Sequence, residues 1–341
     1  RIAGLPGERL RIYRGDIWVK PAADEDAPYR IARKNARIRN ALYFAVYPPP
    51  PGEEDGLDVE SVWRQEGPEG AWELPAHGRY SFVGGAAAAL VLSDAIHKSS
   101  IAGDWPRLGS YGEHARDVRL GATVRLGTPR ALTEGEDASP SRVTLSWSPD
   151  GEWAASVTLS AEPGASKAVL SRKGEPWKPA VSLKAMLSST RDVSVILEFV
   201  DGDMRVWIDG DEVAVIADER RIEETLAPGR DQELKIEAEG GPLVVSHCTI
   251  DRDLYYVDSF SHRPEWRTEG IVIPENAYFM LGDNTESSSD SRKWRVRTVY
   301  LRDGTEIQYD DSEAPTYLAG ESSRKYMTEV DGIRRVWAVD E

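Results

Sequence analysis

The chain has 341 residues, 40% hydrophobic and 29% charged, with a formal net charge of −16. Its length favours two domains over one. The acidity excludes a nucleic-acid partner, since phosphates need a basic footprint, and argues against tight docking of this segment on anionic lipid heads.

The first elements read as a hairpin: Leu10 and Ile12, then Ile17 and Val19, alternate with polar residues and are broken at Arg14-Gly15-Asp16. From Asn35 to Val46, the spacing of Ile38, Leu42 and Val46 predicts an amphipathic helix. Four prolines, Pro48 to Pro51, cannot continue a helix, so residues 48–57 read as a linker after a first segment, 1–47. Residues 58–257 show short strands with turn punctuation. Val143–Trp147 and Trp153–Leu159 flank Pro149-Asp150-Gly151, and Val193–Val200, Met204–Ile208 and Val213–Ile216 are separated by Asp-Gly turns. Asp-Gly between alternating runs is a strong hairpin signal, because type I′ turns need positive φ. Leu234–Ala238 and Pro242–Ile250 add two strands; Cys248, the single cysteine, lies in the second and reads as a buried apolar thiol. The rhythm predicts an all-β chain with one or two short helices, and a sandwich or jelly roll over 58–257. Val206-Trp207-Ile208-Asp209-Gly210 resembles concanavalin/laminin-G-like sandwiches. Residues 258–341 form a last segment, with a hairpin of Val296–Leu301 and Thr305–Tyr309 and a late strand, Arg334–Val339. The longest small-apolar run, Val83 to Leu92, holds two glycines and is shorter than the roughly 20 residues a bilayer crossing needs.

One stretch concentrates chemistry. Tyr278-Phe279-Met280-Leu281 leads into Gly282-Asp283-Asn284, and Ser288, Asp290, Ser291 and Arg292 follow. A second stretch, Arg1-Ile2-Ala3-Gly4-Leu5-Pro6-Gly7-Glu8, opens the chain. Gly-Asp-Asn with Ser-x-Asp-Ser-Arg resembles the last signature block of bacterial type I signal peptidases, and the opening resembles that family's Arg-x-x-Gly-Leu-Pro-Gly-Asp/Glu block. The resemblance implies a membrane-anchored serine endopeptidase of the bacterial cytoplasmic membrane, its catalytic region on the outer, periplasmic face, that removes signal peptides from secretory preproteins. Serine attacks the scissile carbonyl, and a lysine, desolvated so that its pKa falls from about 10.4 toward neutrality, takes the proton.

In that family the lysine stands directly before the arginine matched by Arg1, and the serine lies further upstream, beside the membrane anchor. Neither dyad residue occurs in this chain in a matching context. The chain is therefore expected to be a fragment, inactive alone, that carries the supporting residues. Ser288 takes the place of the serine that hydrogen-bonds the lysine amine. Asp290 and Arg292 match an ion pair that steadies the turn. Gly282 sits where the backbone passes the lysine, and Asp283 and Asn284 satisfy local backbone groups and reach Arg1. On this reading 1–47 and 258–341 form a peptidase core interrupted by a large inserted β domain. Trp294 is followed by Arg295, where the family often has glycine soon after the aromatic residue.

Other features read as structural. Asp201-Gly202-Asp203 and Asp209-Gly210-Asp211 lack the further oxygen ligands of a calcium loop and read as turns. The five histidines are scattered without zinc spacing. No metal or cofactor is expected. Trp63, Trp72, Trp105, Trp147, Trp153 and Trp207 could include a sugar-stacking platform, with core packing as the default. Two alternatives stay open: an inserted domain that binds a glycan or an envelope protein, and a degenerate homologue without catalysis.

Overall fold

The computed structural model describes residues 2–48, 62–92, 115–127, 140–217, 222, 232–256, 265–282, 291, 296–300, 306–310, 324–330 and 333–339. Their regular structure is almost entirely strand, with two short helices. Two eight-stranded antiparallel sheets dominate. The first runs, in spatial order, Asp211–Ala217, Asp203–Ile208, Val193–Val200, Val118–Leu126, Leu243–Arg252, Arg79–Phe82 and Trp72–Ala76, with Phe44–Tyr47 added beside Leu243–Arg252. The second runs Glu175–Pro176, Lys167–Arg172, Trp153–Ser160, Arg142–Ser148, Glu233–Gly240, Gly85–Leu92 and Trp63–Glu66, with Val181–Ser182 added beside Lys167–Arg172.

The period-2 pattern decides which face is buried. Val118, Leu120, Ala122 and Val124 point inward from the first sheet, and Val143, Leu145 and Trp147 from the second; all lie in one core cluster. Each such large apolar side chain contributes about 1.5–3 kcal/mol by leaving water, so a register slip of one residue is strongly disfavoured. The expected turns form: Asp201 (φ 52°) and Gly202 (φ 76°) join Val193–Val200 to Asp203–Ile208, and Asp209 (φ 52°) and Gly210 (φ 88°) make the next turn. The sandwich is closed partly by a corner. Glu233–Gly240 belongs to one sheet and Leu243–Arg252 to the other, with Gly241-Pro242 between them.

The helix predicted over Asn35–Val46 needs correction. Only Ala36–Asn40 is helical, with the Asn35 side chain accepting the Ile38 N–H at 3.0 Å. Phe44–Tyr47 is instead a strand whose Tyr47, Ala45 and Phe44 lie opposite Ile250, Asp251 and Arg252. The i, i+4 spacing was misleading because its members go to different places. Ile38 is exposed, Leu42 enters a small second core and Val46 enters the sandwich core.

That second core holds Leu10, Ile12, Leu254, Tyr256, Ile271, Phe279 and their neighbours. It underlies a four-stranded sheet in the order Ile271–Val272, Glu8–Tyr13, Asp16–Pro21, Arg30–Ile31. The predicted Leu10/Val19 hairpin is the centre of this sheet, with Leu10 opposite Val19 and Ile12 opposite Ile17. A short helix, Glu265–Thr268, packs nearby on the Glu8–Tyr13 strand. Two hairpins follow: Val296–Tyr300 with Glu306–Asp310, and Arg324–Val330 with Ile333–Val339. Among the described residues no helix is long and apolar enough to cross a membrane. Linker residues 49–57 lie outside the described residues.

Candidate functional site

The opening stretch and the residues that lead into Gly282, far apart in the chain, meet in space. Ile2–Gly4 pairs antiparallel with Phe279–Met280, placing Ile2 opposite Met280 and Gly4 opposite Phe279. Gly4 is closely packed. A Cβ there would stand 2.8 Å from Leu10 Cδ1 and closer still to Ile273 Cδ1. The bend that follows is built from its own residues. Gly7 takes a left-handed φ of 75°, a region open to glycine at little cost. Its N–H donates to Ile273 O at 3.0 Å, while Glu8 N–H donates to Leu5 O at 3.2 Å. The Glu8 carboxylate accepts the Leu5 N–H at 2.8 Å, which gives the acidic residue after Gly-Leu-Pro-Gly a structural task.

Met280 and Ser291, which stand before and after the Gly-Asp-Asn segment in sequence, are joined by two hydrogen bonds. Met280 N–H donates to Ser291 Oγ at 2.9 Å, and Ser291 N–H donates to Met280 O at 3.1 Å. Gly282, two residues after Met280, is half-buried. Arg1, Asp283, Asn284, Ser288, Asp290 and Arg292 lie outside the described residues. Ser291 is a residue the sequence reading passed over; its place inside Asp-Ser-Arg was the available signal. Around the junction Ile2, Leu5, Val272, Tyr278 and Met280 expose apolar surface, Ile2 at 59% and Tyr278 at 55%.

The tryptophans mostly settle into the core. Trp63, Trp72, Trp147 and Trp153 are buried in the sandwich, and Trp207 is half-buried beneath the Arg39 guanidinium, 6.0 Å from its ring; Trp105 lies outside the described residues. Trp177, absent from the predicted set, is 48% exposed, packs edge-on to Trp153 at 5.4 Å and lies 5.6 Å from the Arg172 guanidinium.

A second constellation was not visible in sequence. Asp16 opens the Asp16–Pro21 strand, Asp117 precedes Val118–Leu126, Asp201 sits in the turn after Val200, and Asp253 follows Arg252. Carboxylate oxygens of Asp16, Asp117 and Asp201 lie within 4.8 Å of one another. Backbone geometry fixes them. Asp201 N–H donates to Asp117 Oδ2 at 2.8 Å and Asp253 N–H to Asp117 O at 2.8 Å. Lys34 Nζ pairs with Asp201 and, at 2.8 Å, with Asp253 Oδ2. Burial and then the charge of Asp201 push the Asp16 carboxyl up to about 7. Burial pushes Asp253 up to about 6 despite the Lys34 charge, and raises Asp117 well above the usual carboxylate range with Asp16 and Asp201 adding to it. Burial works against the Lys34 ammonium, but Asp253 and Asp201 outweigh it and hold its pKa above the ordinary lysine value.

A family model described as "Signal peptidase, peptidase S26" matches residues 200–303, a span that includes the Gly282 block. This region of the chain is signal-peptidase-like. No curated protein matches the sequence. Among solved structures, the carbohydrate-binding module CBM66 from Bacillus subtilis is similar over 56% of this chain and 96% of its own, at 8% identity and a TM-score of 0.34. The winged bean acidic lectin complexed with methyl-alpha-D-galactose is similar over 58% of this chain and 94% of its own, at 8% identity and a TM-score of 0.37. Peanut lectin is similar over 57% and 93%, at 9% identity and a TM-score of 0.34.

Proposed function

We propose that this chain supplies the supporting part of a type I signal peptidase active site, on a peptidase core interrupted by an inserted β-sandwich. The observation that carries the reading is the pairing of Ile2–Gly4 with Phe279–Met280. The opening motif lies beside the strand that leads into the second motif, and the two motifs stand in that family's order, which supports the reading. The signal-peptidase-like match over 200–303 supports it independently of the opening block.

On this reading the reaction is acyl transfer to a serine, then hydrolysis. A lysine before Arg1 acts as general base. Ser288 accepts or donates a hydrogen bond that aims the amine lone pair, because an ill-aimed base transfers protons poorly. Asp290 and Arg292 flank Ser291, which hydrogen-bonds Met280, and steady the loop. Gly282 leaves room for the lysine, and Asp283 and Asn284 tie the loop to Arg1. The exposed apolar side chains around the junction suit an apolar leader segment at the membrane face. The substrates are signal peptides of secretory preproteins with small residues one and three positions before the cut. On this reading an N-terminal anchor holds the protein on the outer face of the cytoplasmic membrane.

The test is cleavage of a leader-peptide substrate by the full-length protein. Cut preprotein at a small-residue site supports the reading. No cleavage, together with no lysine encoded before Arg1, overturns it in favour of a degenerate homologue.

A second reading concerns the sandwich alone. Trp177, exposed and buttressed by Trp153 and Arg172, offers a stacking surface of the kind that binds a sugar ring. Quenching of tryptophan fluorescence by a glycan in the intact protein, lost in Trp177→Ala, supports a glycan partner; glycan-independent fluorescence counts against it.

A further inference from the structure

We propose that Asp16, Asp117, Asp201 and Asp253 form a binding site for a hard divalent cation, calcium or magnesium, that ties the small four-stranded sheet to the sandwich. The site does not depend on the peptidase reading.

The donor set is all carboxylate oxygen, which suits hard cations and not zinc or copper. Three carboxylates already converge within 4.8 Å, a spread that one ion can span with modest side-chain movement. Clustering alone proves little, since acidic residues gather for other reasons. Three further observations point inward. Asp253 is 3% exposed, and its Oδ1 is sealed from solvent without a hydrogen-bond partner among the described residues. Asp117 Oδ1 is in the same condition. Both residues, with Asp16, Gly15, Arg116 and Tyr255, line a cavity of about 10 Å³, which is room for one water-sized body. Buried carboxylate oxygens facing a void of that size lack the partner that burial ordinarily demands.

The charge balance agrees. Lys34 offsets one of the four carboxylates through its contacts with Asp201 and Asp253. Arg116 also borders the cavity, but its guanidinium is engaged by Asp150 at 2.8 Å and lies over Phe199. Asp203 is likewise occupied, by Arg33 at 2.9 Å and by Arg205. When ionised, the four carboxylates outnumber the Lys34 ammonium and repel one another. Arg14 also lines the cavity and lies over the Tyr13 ring; a divalent cation held by the carboxylates removes most of the repulsion among them.

The placement gives the ion a task. Asp16 belongs to the hairpin of the small sheet, and the other three aspartates lie at strand ends and a turn of the sandwich. The direct backbone connection at this seam is slight: Gly15 bridges Tyr256, with Tyr256 N–H donating to Gly15 O at 3.1 Å. An ion held by Asp16 and the sandwich carboxylates would pin the seam from inside.

The experiment uses the full chain after chelator treatment. Thermal melting is followed at neutral pH with calcium, with magnesium and without either, alongside terbium luminescence sensitised through nearby Tyr255. At about a hundredfold excess of the bound cation over its Kd, the melting temperature should rise by roughly 5 °C. Asp117→Asn and Asp253→Asn should each abolish the rise and the terbium signal. Asp117→Asn should melt at or above the cation-free native protein, because it removes a repelled charge; Asp253→Asn also loses the ion pair with Lys34 and should melt below it, so only its lost cation response is read. An exposed control, Glu175→Gln, should keep both responses. If one Asn variant does not fold, the other and the terbium titration of the native chain still decide. No shift and no terbium signal in the native chain, or responses retained in both Asn variants, overturns the proposal.

Discussion

Gly4→Ala should loosen the junction where the two motif blocks meet, without disturbing the sandwich. The added methyl group points at Leu10 Cδ1 and Ile273 Cδ1, both inside van der Waals distance of an ideal Cβ. Leu10 is fully buried and Ile273 nearly so, so neither can swing into solvent, and the cost is that of overpacking, about 1–3 kcal/mol. Hydrogen exchange read on peptides is the suitable assay, because it separates local from global opening. Protection over 2–13 and 271–282 should fall by about 5- to 150-fold, while 142–160 in the sandwich stays as it was. A second substitution sharpens the test. Ile273→Val removes the nearer Cδ1 at a cost of about 0.5–1.5 kcal/mol by itself, and in combination it should give back at least about 1 kcal/mol of the Gly4→Ala loss. Unchanged protection in Gly4→Ala, or strict additivity in the double variant, would refute the packing account of this glycine.

Two other expectations follow from the sandwich core. Tyr47 Oη accepts from Gly78 N–H at 2.9 Å and from Tyr80 Oη at 2.7 Å, so Tyr47→Phe orphans two buried donors and should cost about 1–3 kcal/mol in urea unfolding; a change below about 0.5 kcal/mol contradicts this. Burial pushes the Cys248 thiol up to about 12, so it stays protonated at pH 8 and should resist a disulfide reagent until urea unfolds the chain; rapid labelling of the native protein contradicts its buried state.

Much of the sandwich was legible because local and long-range signals agreed. Arg142–Ser148 and Trp153–Ser160 alternate along their length and flank a Pro-Asp-Gly turn, and the structure pairs them Val143 to Leu159 through Trp147 to Ala155. Phe44–Tyr47 was misread because its identity as a strand comes from Leu243–Arg252, some two hundred residues away, and no local pattern carries that pairing. The sequence marked only Arg334–Val339 as a late strand, and the structure pairs Ile333–Val339 with Arg324–Val330. At the candidate site, sequence pointed to both blocks, since contiguous motifs survive in one dimension. It could not show that Ser291 hydrogen-bonds Met280. The aspartate cluster was illegible for the opposite reason. Asp16, Asp117, Asp201 and Asp253 each look like a turn or strand-end residue, and only the meeting of the hairpin with the sandwich assembles them.

The central claim, that the Gly282–Arg292 block supports a lysine base, is tested most directly by steady-state cleavage of a leader peptide by the full-length protein and its Ser288→Ala variant. The account predicts that kcat falls by about 10²- to 10⁴-fold, with KM and melting temperature nearly unchanged, because Ser288 aims the base and does not bind the leader or hold the fold. An unaltered kcat in a folded Ser288→Ala enzyme would contradict it.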